Sequence, residues 1–274
     1  MFSEQCYTQQ LFKEQKLRCF MTLYFIGLGL CDQKDISVKG LEAIKKCEYV
    51  YLEEYTSLLN CTISELEQFY EKKIILADRD LVESKAEETI LENAKTKNTA
   101  FLVIGDPMVA TTHSDLFLRA RKASITVEII HNASITSAIA ETGLQIYKFG
   151  PVASIPFSDE KFKPETPYNI IKENIVRGNH TLLLLDLKPS EKKFMTVADG
   201  LKYLLEIENK CKEKIINEKT RVLGCARIGS KKSVIKFGKL VDVIKQDFGK
   251  PLHCIIIPGN LHFIEEEFLQ QYSV

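Results

Sequence analysis

The sequence predicts an α/β protein in two halves, each a mixed sheet flanked by helices. Three observations carry this. Apolar runs of strand length alternate with amphipathic stretches of helix length from Met21 onward, with almost no long gap. The alternation resumes with different details after about Asn132. The chain has 274 residues, 45% hydrophobic and 27% charged, enough for two modest α/β domains, with a single domain as the alternative. The expected division is a polar extension over residues 1–20, a first domain over 21–132 and a second over 133–274.

In the first half, LYFIGLGL (23–30) reads as a buried strand running into a glycine loop. SVKGLEAIKKC places Val38, Leu41, Ile44 and Cys47 along one helical face. YVYLEEY (49–55) is the next strand, and Ser64 with Glu67 suggests a capping box for a short helix before the strand KIILA. LVESKAEETILENAK (81–95) reads as one amphipathic helix, FLVIG (101–105) as a strand and ITVEIIH (125–131) as another. In the second half, SITSAIAE is helical with Gly143 as its stop, SIPF is a short strand, and YNIIKENIVR is a helix closed by Gly178. TLLLLDL (181–187) is a fully apolar strand, Thr196 and Asp199 open the helix 197–210, and RVLGCARIG (221–229) is a strand. A short helix around VDVIKQ, the strand HCIIIPG and the tail HFIEEEFLQQY complete the chain. Alternation of this kind implies sheets flanked by helices, with the cleft between the halves as the default site.

Lys plus Arg equals Asp plus Glu at 37 each, so the net charge carries no footprint of a protein that grips nucleic-acid phosphates. The Lys-rich stretches LKPSEKKF (187–194) and GSKKSVIKFGK (229–239) read as solvated loops. Eight cysteines never form CxxC, and no Cys/His grouping has zinc spacing, so they read as reduced thiols of a cytosolic protein with no metal site. MTLYFIGLGL (21–30) is about half the length a membrane-spanning helix needs, and residues 1–20 lack the apolar core of a secretory signal.

The stretch GDPMVATTHSDLFLRA (105–120) breaks a strand abruptly and then opens a helix near Ser114. Pro107 fixes its own φ and biases Asp106 toward extended backbone, leaving a polar loop at a strand's carboxyl end, where α/β sheets bind ligands. Gly27-Leu28-Gly29 looks like the opening of a dinucleotide loop, yet Asp32 stands where the third glycine belongs and would repel pyrophosphate. These glycines therefore serve a close backbone approach to something less anionic, or packing alone. His113 beside Thr112 and Ser114 lacks a G-x-S-x-G elbow, so it is expected to hydrogen-bond at the helix start instead of activating a nucleophile. His253 opens a strand and is expected either to cap the sheet or to face the cleft.

Taken together, YFIGLGLCDQKDISVKGLEAIKKCEYVYLEEYTS, GDPMVATTHSDLFLRA, HNASITSAIAETGLQIYKFGPVASIPF, GCARIG and GKPLHCIIIPG closely resemble the diphthine synthases, methyltransferases of the diphthamide pathway. The resemblance runs from Met21 to about Phe263, with long motifs in order. It implies the two-domain tetrapyrrole methylase-like fold, with S-adenosylmethionine bound between two α/β domains and S-adenosylhomocysteine as product. It also implies a homodimer in the cytoplasm with no direct nucleic-acid or membrane partner. The implied protein substrate is translation elongation factor 2, methylated on the 3-amino-3-carboxypropyl group of a histidine. Resemblance to eukaryotic members implies four methyl groups and a methyl ester product, diphthine methyl ester; archaeal members add three.

Carried over by position, the resemblance marks Leu30, Asp106, Val109, Ser134 and Ile135 as cofactor-binding in the first part of the chain, and Leu185, Ile228 and His253 in the second. Most are small or apolar, as adenine and ribose packing requires. A carboxylate at Asp106 suits a cationic sulfonium, whereas it would oppose a pyrophosphate. Methyl transfer is an in-line displacement that depends mainly on alignment, and a dry cleft favours the neutral amine, so no acid or base is assigned. Two positions depart from the family pattern. Met108-Val109 replaces Phe-Gly, which is expected to limit cofactor approach, and Cys31 replaces a glycine, which limits positive φ. The competing readings are a tetrapyrrole or ribosomal RNA methyltransferase of the same fold, and a non-catalytic binding protein that kept the fold.

Overall fold

The computed structural model describes residues 21–158 and 163–274, so the expected extension over 1–20 lies outside the described residues. The first half runs β1 (Thr22–Gly27), α1 (Val38–Lys46), β2 (Tyr49–Glu53), α2 (Ile63–Tyr70), β3 (Ile75–Ala77), α3 (Arg79–Glu83), α4 (Ile90–Thr96), β4 (Thr99–Val103), α5 (Ser114–Lys122) and β5 (Thr126–Ile130). The rest runs α6 (Ile135–Ala138), β6 (Ala153–Ile155), α7 (Thr166–Val176), β7 (Thr181–Leu185), β8 (Leu187–Lys188), β9 (Lys193–Phe194), α8 (Val197–Cys211), β10 (Arg221–Ala226), β11 (Val234–Lys239), α9 (Leu240–Val243), β12 (His253–Ile257) and α10 (Phe263–Leu269).

The α/β expectation holds, and the two sheets differ in kind. The first has the order β3-β2-β4-β1-β5 and is parallel throughout. Its central strand β4 is buried at every residue, as a parallel strand covered by helices on both faces must be. The second has the order β11-β10-β12-β7-β6, and only β6–β7 is parallel. Phe25 and Phe101 meet edge-on at 5.6 Å in one core of the first half. In the second half, Tyr168, Leu183, Leu201, Leu204 and Ile255 lie in the core between its sheet, α7 and α8.

Several helix limits follow the expected chemistry. Gly143 and Gly178 end their segments at φ 82° and 72°, conformations that cost glycine little. Thr196 and Asp199 form a reciprocal capping box at α8. Three local expectations are corrected. The capping box of α2 is Thr62 with Glu65, not Ser64 with Glu67; the earlier start turns Leu66 and Tyr70 into the core. Residues 81–95 do not form one helix. The chain breaks between α3 and α4, where Thr89 adopts a non-helical backbone and its hydroxyl bonds the Lys85 carbonyl at 2.7 Å. Finally, VIKFGK is not a loop but the edge strand β11, whose Phe237 is buried and whose outer side is met by the chain end, Phe237 bridging Ser273 and accepting from Val274 N–H at 3.0 Å. LKPSEKKF likewise folds into the β8–β9 hairpin.

Candidate functional site

The carboxyl ends of β1, β4 and β5 project loops toward the second sheet, and the cleft between them encloses about 1040 Å³ of empty space, part of it open solvent. All eight positions marked from the sequence line this one cleft: Leu30, Asp106, Val109, Ser134 and Ile135 on one side, Leu185, Ile228 and His253 on the other.

Two loops are locked together on the first side. Gly29 N–H donates to Gly105 O at 3.2 Å and Gly105 N–H returns a bond to Gly29 O at 2.7 Å. Both glycines have positive φ, at 80° and 84°. A Cβ at Gly27 would lie 2.6 Å from Gly105 O, and one at Gly29 would lie 2.6 Å from Asp35 Cβ, so the β1 glycines serve close packing between loops. Asp35 Oδ2 accepts from the amides of Leu30 and Cys31, the latter at 2.6 Å, which fixes the turn carrying Leu30. Cys31 itself keeps a negative φ, so a side chain strains nothing there.

Asp106 is 5% exposed. Its Oδ1 accepts from Met108 N–H at 2.9 Å, making an Asx-type turn through Pro107. Its Oδ2 accepts from His131 Nδ1 at 2.8 Å and Asn132 N–H at 3.2 Å, joining the ends of β4 and β5. Asp106 is therefore both the turn-maker that GDP alone suggests and a carboxylate at the cleft wall. Val109 also lines the cleft with its φ negative; the left-handed residue of this loop is the next one, Ala110, at φ 55°.

His113 occupies the residue before α5, but its ring does not cap the helix. It is buried, with Nδ1–H donating to Pro107 O at 3.2 Å and its ring edge-on to Phe101 at 5.1 Å. Burial brings its pKa down to about 4, against the smaller opposing effect of the Pro107 carbonyl, so it is neutral. His113 thus braces the GDP loop from behind.

On the second side, Leu185 ends β7, and His253 begins β12 and also faces the cleft, joining both expected roles. His253 Nε2–H points to the carbonyls of Gly249 and Lys250 at 3.2 and 3.1 Å, and Nδ1 accepts from Val197 N–H at 3.4 Å. Burial lowers its pKa. With both nitrogens engaged by backbone, His253 shapes the wall and leaves no free acid or base. Arg227, at φ 51°, also lines the cleft, but its guanidinium is held by the carbonyls of Phe248, Lys250 and Lys232. No other Lys or Arg lines the cleft among the described residues.

Sequence reasoning missed the loop Thr56, Ser57, Leu58 and Asn60, which follows β2 and closes the rim, and the cross-strand thiols Cys225 and Cys254. The signal for the loop was the run TSLLNCT between a strand end and a capped helix. Apolar walls with a few convergent polar groups and no free cation suit a neutral base and ribose beside a cationic centre, and do not suit a polyphosphate. S-adenosylmethionine fits that description. Among the described residues, no group of three or more His, Cys, Asp and Glu side chains is placed to hold a metal, and no helix is long and apolar enough to cross a membrane.

Comparison with known proteins agrees with this geometry. The model of the family "Tetrapyrrole (Corrin/Porphyrin) Methylases" matches residues 22–244. The diphthine synthase of Methanocaldococcus jannaschii is 52% identical over 251 residues, covering 90% of this chain and 97% of that protein. The diphthine methyl ester synthase of Dictyostelium discoideum is 46% identical over 271 residues, covering 93% and 99%. A crystal structure of a diphthine synthase superposes with a TM-score of 0.84 at 40% identity, covering 92% of this chain and 96% of that one. The chain is a methyltransferase of the tetrapyrrole methylase family and belongs to its diphthine synthase branch.

Proposed function

We propose that the cleft binds S-adenosylmethionine through Leu30, Asp106, Val109, Ser134, Ile135, Leu185, Ile228 and His253. We further propose that the protein methylates the 3-amino-3-carboxypropyl-histidine of elongation factor 2. The observation that carries this reading is the convergence of all eight positions, from segments far apart in sequence, on a single cleft. When bound, the cofactor supplies an electrophilic methyl group on a cationic sulfur. The chain's own residues then hold and align. Asp106 keeps the β4 and β5 loops in one geometry and sets a negative charge at the wall. His253 and Arg227 rigidify the opposite wall. Excluding water favours the neutral amine of the acceptor.

The product on this reading is diphthine methyl ester, with four methyl groups. Its support is the 46% identity over 93% of this chain to the Dictyostelium relative, which is named a diphthine methyl ester synthase. The higher 52% identity of the archaeal relative favours the three-methyl product as the second reading. A homodimer, a cytoplasmic location and a domain division near Asn132 complete the proposal. The test is transfer of labelled methyl from S-adenosylmethionine to elongation factor 2 that carries the unmethylated group. Label is expected on that histidine and on no elongation factor 2 lacking the group; equal labelling of both would refute the assignment.

A further inference from the structure

Methylating an amine requires that a proton leave it, and the cleft wall offers little that could take one. Asp106 has both oxygens engaged by His131, Asn132 and Met108. His253 and Arg227 have their nitrogens committed to backbone groups. The buried Cys225 thiol is pushed well above its usual pKa by Cys254 and by burial. One carboxylate stands immediately behind the lining, at the end of β2.

Glu53 is fully buried within an otherwise apolar strand. Its Oε1 accepts from the amides of Tyr55 and Thr56 at 3.0 and 2.5 Å, and its Oε2 accepts from Thr56 Oγ1 at 2.7 Å. Thr56 lines the cleft; Glu53 does not. No Lys, Arg or His forms an ion pair with Glu53 among the described residues. The cation whose charge acts on it, Arg79, lies over the Tyr55 ring at 5.3 Å. Tyr55 is the other titratable group facing it, and burial pushes that phenol up to about 12, so it stays neutral. Burial raises the pKa of Glu53 itself, against the Thr56 and Tyr55 hydrogen bonds and Arg79.

We propose that Thr56 and Glu53 form a proton relay for the amine acceptor, with Thr56 Oγ1 taking a proton from the substrate ammonium as its own proton passes to Glu53 Oε2. This rests on the diphthine methyltransferase reading. An N–H bond of the ammonium breaks and an O–H bond forms on Thr56, while the original Thr56 O–H bond breaks and one forms on Glu53. The ammonium becomes a neutral amine with a free lone pair, and the carboxylate becomes a neutral acid, the form that burial favours. The proton returns through Thr56 to water between turnovers. Thr56 touches the substrate; Glu53 acts through it as a positioning residue. Each of the first two N-methylations leaves a protonated amine that must pass through the relay again, whereas methylation of a carboxylate needs no proton removal.

The test uses the full chain with elongation factor 2 bearing the unmethylated group, and the variants Glu53→Gln, Thr56→Val and Thr56→Ser. At neutral pH, E53Q and T56V are expected to lower kcat for N-methylation by about 100-fold, the usual range for positioned proton transfer. Calorimetric affinity for S-adenosylmethionine stays within about twofold of wild type if the relay acts on chemistry alone. The deficit closes as pH rises above the amine's own pKa, and T56S keeps the wild-type profile. A purely structural Glu53 predicts the same loss at every pH, or weakened cofactor affinity, and either result overturns the relay. So does wild-type behaviour of T56V at neutral pH. If wild-type protein binds cofactor yet methylates no elongation factor 2, the parent reading falls and this one with it.

Discussion

Gly29 and Gly105 exchange backbone hydrogen bonds in both directions, at 3.2 and 2.7 Å, across two loops 76 positions apart. This pair makes one wall of the cleft a single unit, because it couples the turn carrying Leu30 to the turn carrying Asp106. A side chain at residue 29 would meet Asp35 and also sit at φ 80°. G29A is therefore expected to lower stability by about 1–3 kcal/mol and weaken S-adenosylmethionine binding together. Thermal unfolding and calorimetry on the same preparation check it; lost stability with unchanged affinity would show that the wall does not depend on this bridge.

Asp106 presents two acceptor oxygens to three donors, so a neutral amide is not an equivalent replacement. D106N sets an NH₂ group against one of those donors and is expected to cost about 1–3 kcal/mol of stability and at least tenfold in cofactor affinity. Full retention of affinity would remove Asp106 from the binding account.

Ala110, one residue after Val109, carries the left-handed conformation of this loop. Its φ of 55° makes A110G a stabilising change, by about 1 kcal/mol. V109G at a negative φ relieves no such strain and is expected to destabilise slightly through added chain entropy. Denaturant titration of both variants tests which position carries the strain.

Acidification acts through three buried groups, two histidines and a carboxylate, that titrate in different windows. His113 has a pKa of about 4 in the folded state against 6.5 when free, so the unfolded chain binds the extra proton first. Its contribution is whole above pH 6.5 and is lost as pH falls toward 4, up to about 3 kcal/mol at 1.36 kcal/mol per pH unit. His180, lowered by burial, acts in the same direction. For Glu265, burial is outweighed by the His262 and Gln145 amides, Lys148 and His180, which bring it down from 4.5 to about 2. Its contribution is whole above 4.5 and lost as pH falls toward 2. H113F should reduce the slope of the stability curve between pH 6.5 and 4, leaving the His180 contribution and the lower window intact; an unchanged slope in H113F would assign that window elsewhere.

Glu265 also ties the C-terminal helix to the body, remote from the cleft. It is fully buried, accepts from His180 Nε2–H at 3.1 Å and pairs with Lys148. Gly259 N–H donates to His180 Nδ1 at 3.0 Å, which fixes the neutral tautomer. E265Q should destabilise by about 3 kcal/mol and leave cofactor affinity unchanged. Hydrogen exchange confined to α10 and its neighbours would support that, and loss of affinity would contradict it.

Much of the site was legible because the family motifs fall on strand-end loops, where the backbone is irregular and residue identity is constrained. Gly143, Gly178 and the Thr196–Asp199 box were legible for the same reason: each solves a helix-end problem with few chemical answers. Other features had competing local solutions. Thr62–Glu65 and Ser64–Glu67 have identical spacing, and only the burial of Leu66 and Tyr70 decides between them. The strand β11 carries Lys236 and Lys239 around a glycine, which looks like a loop until pairing with β10 explains it. Glu53 lay hidden because a carboxylate in an apolar strand has no meaning until its partner Thr56 is seen at the cleft.

The most direct test of the account is mass spectrometry of elongation factor 2 bearing the unmethylated aminocarboxypropyl-histidine after incubation with the protein and S-adenosylmethionine. The account predicts four added methyl groups, one of them removed by mild base. Three base-stable methyl groups would assign the archaeal-type product, and no mass change despite cofactor binding would contradict the central claim.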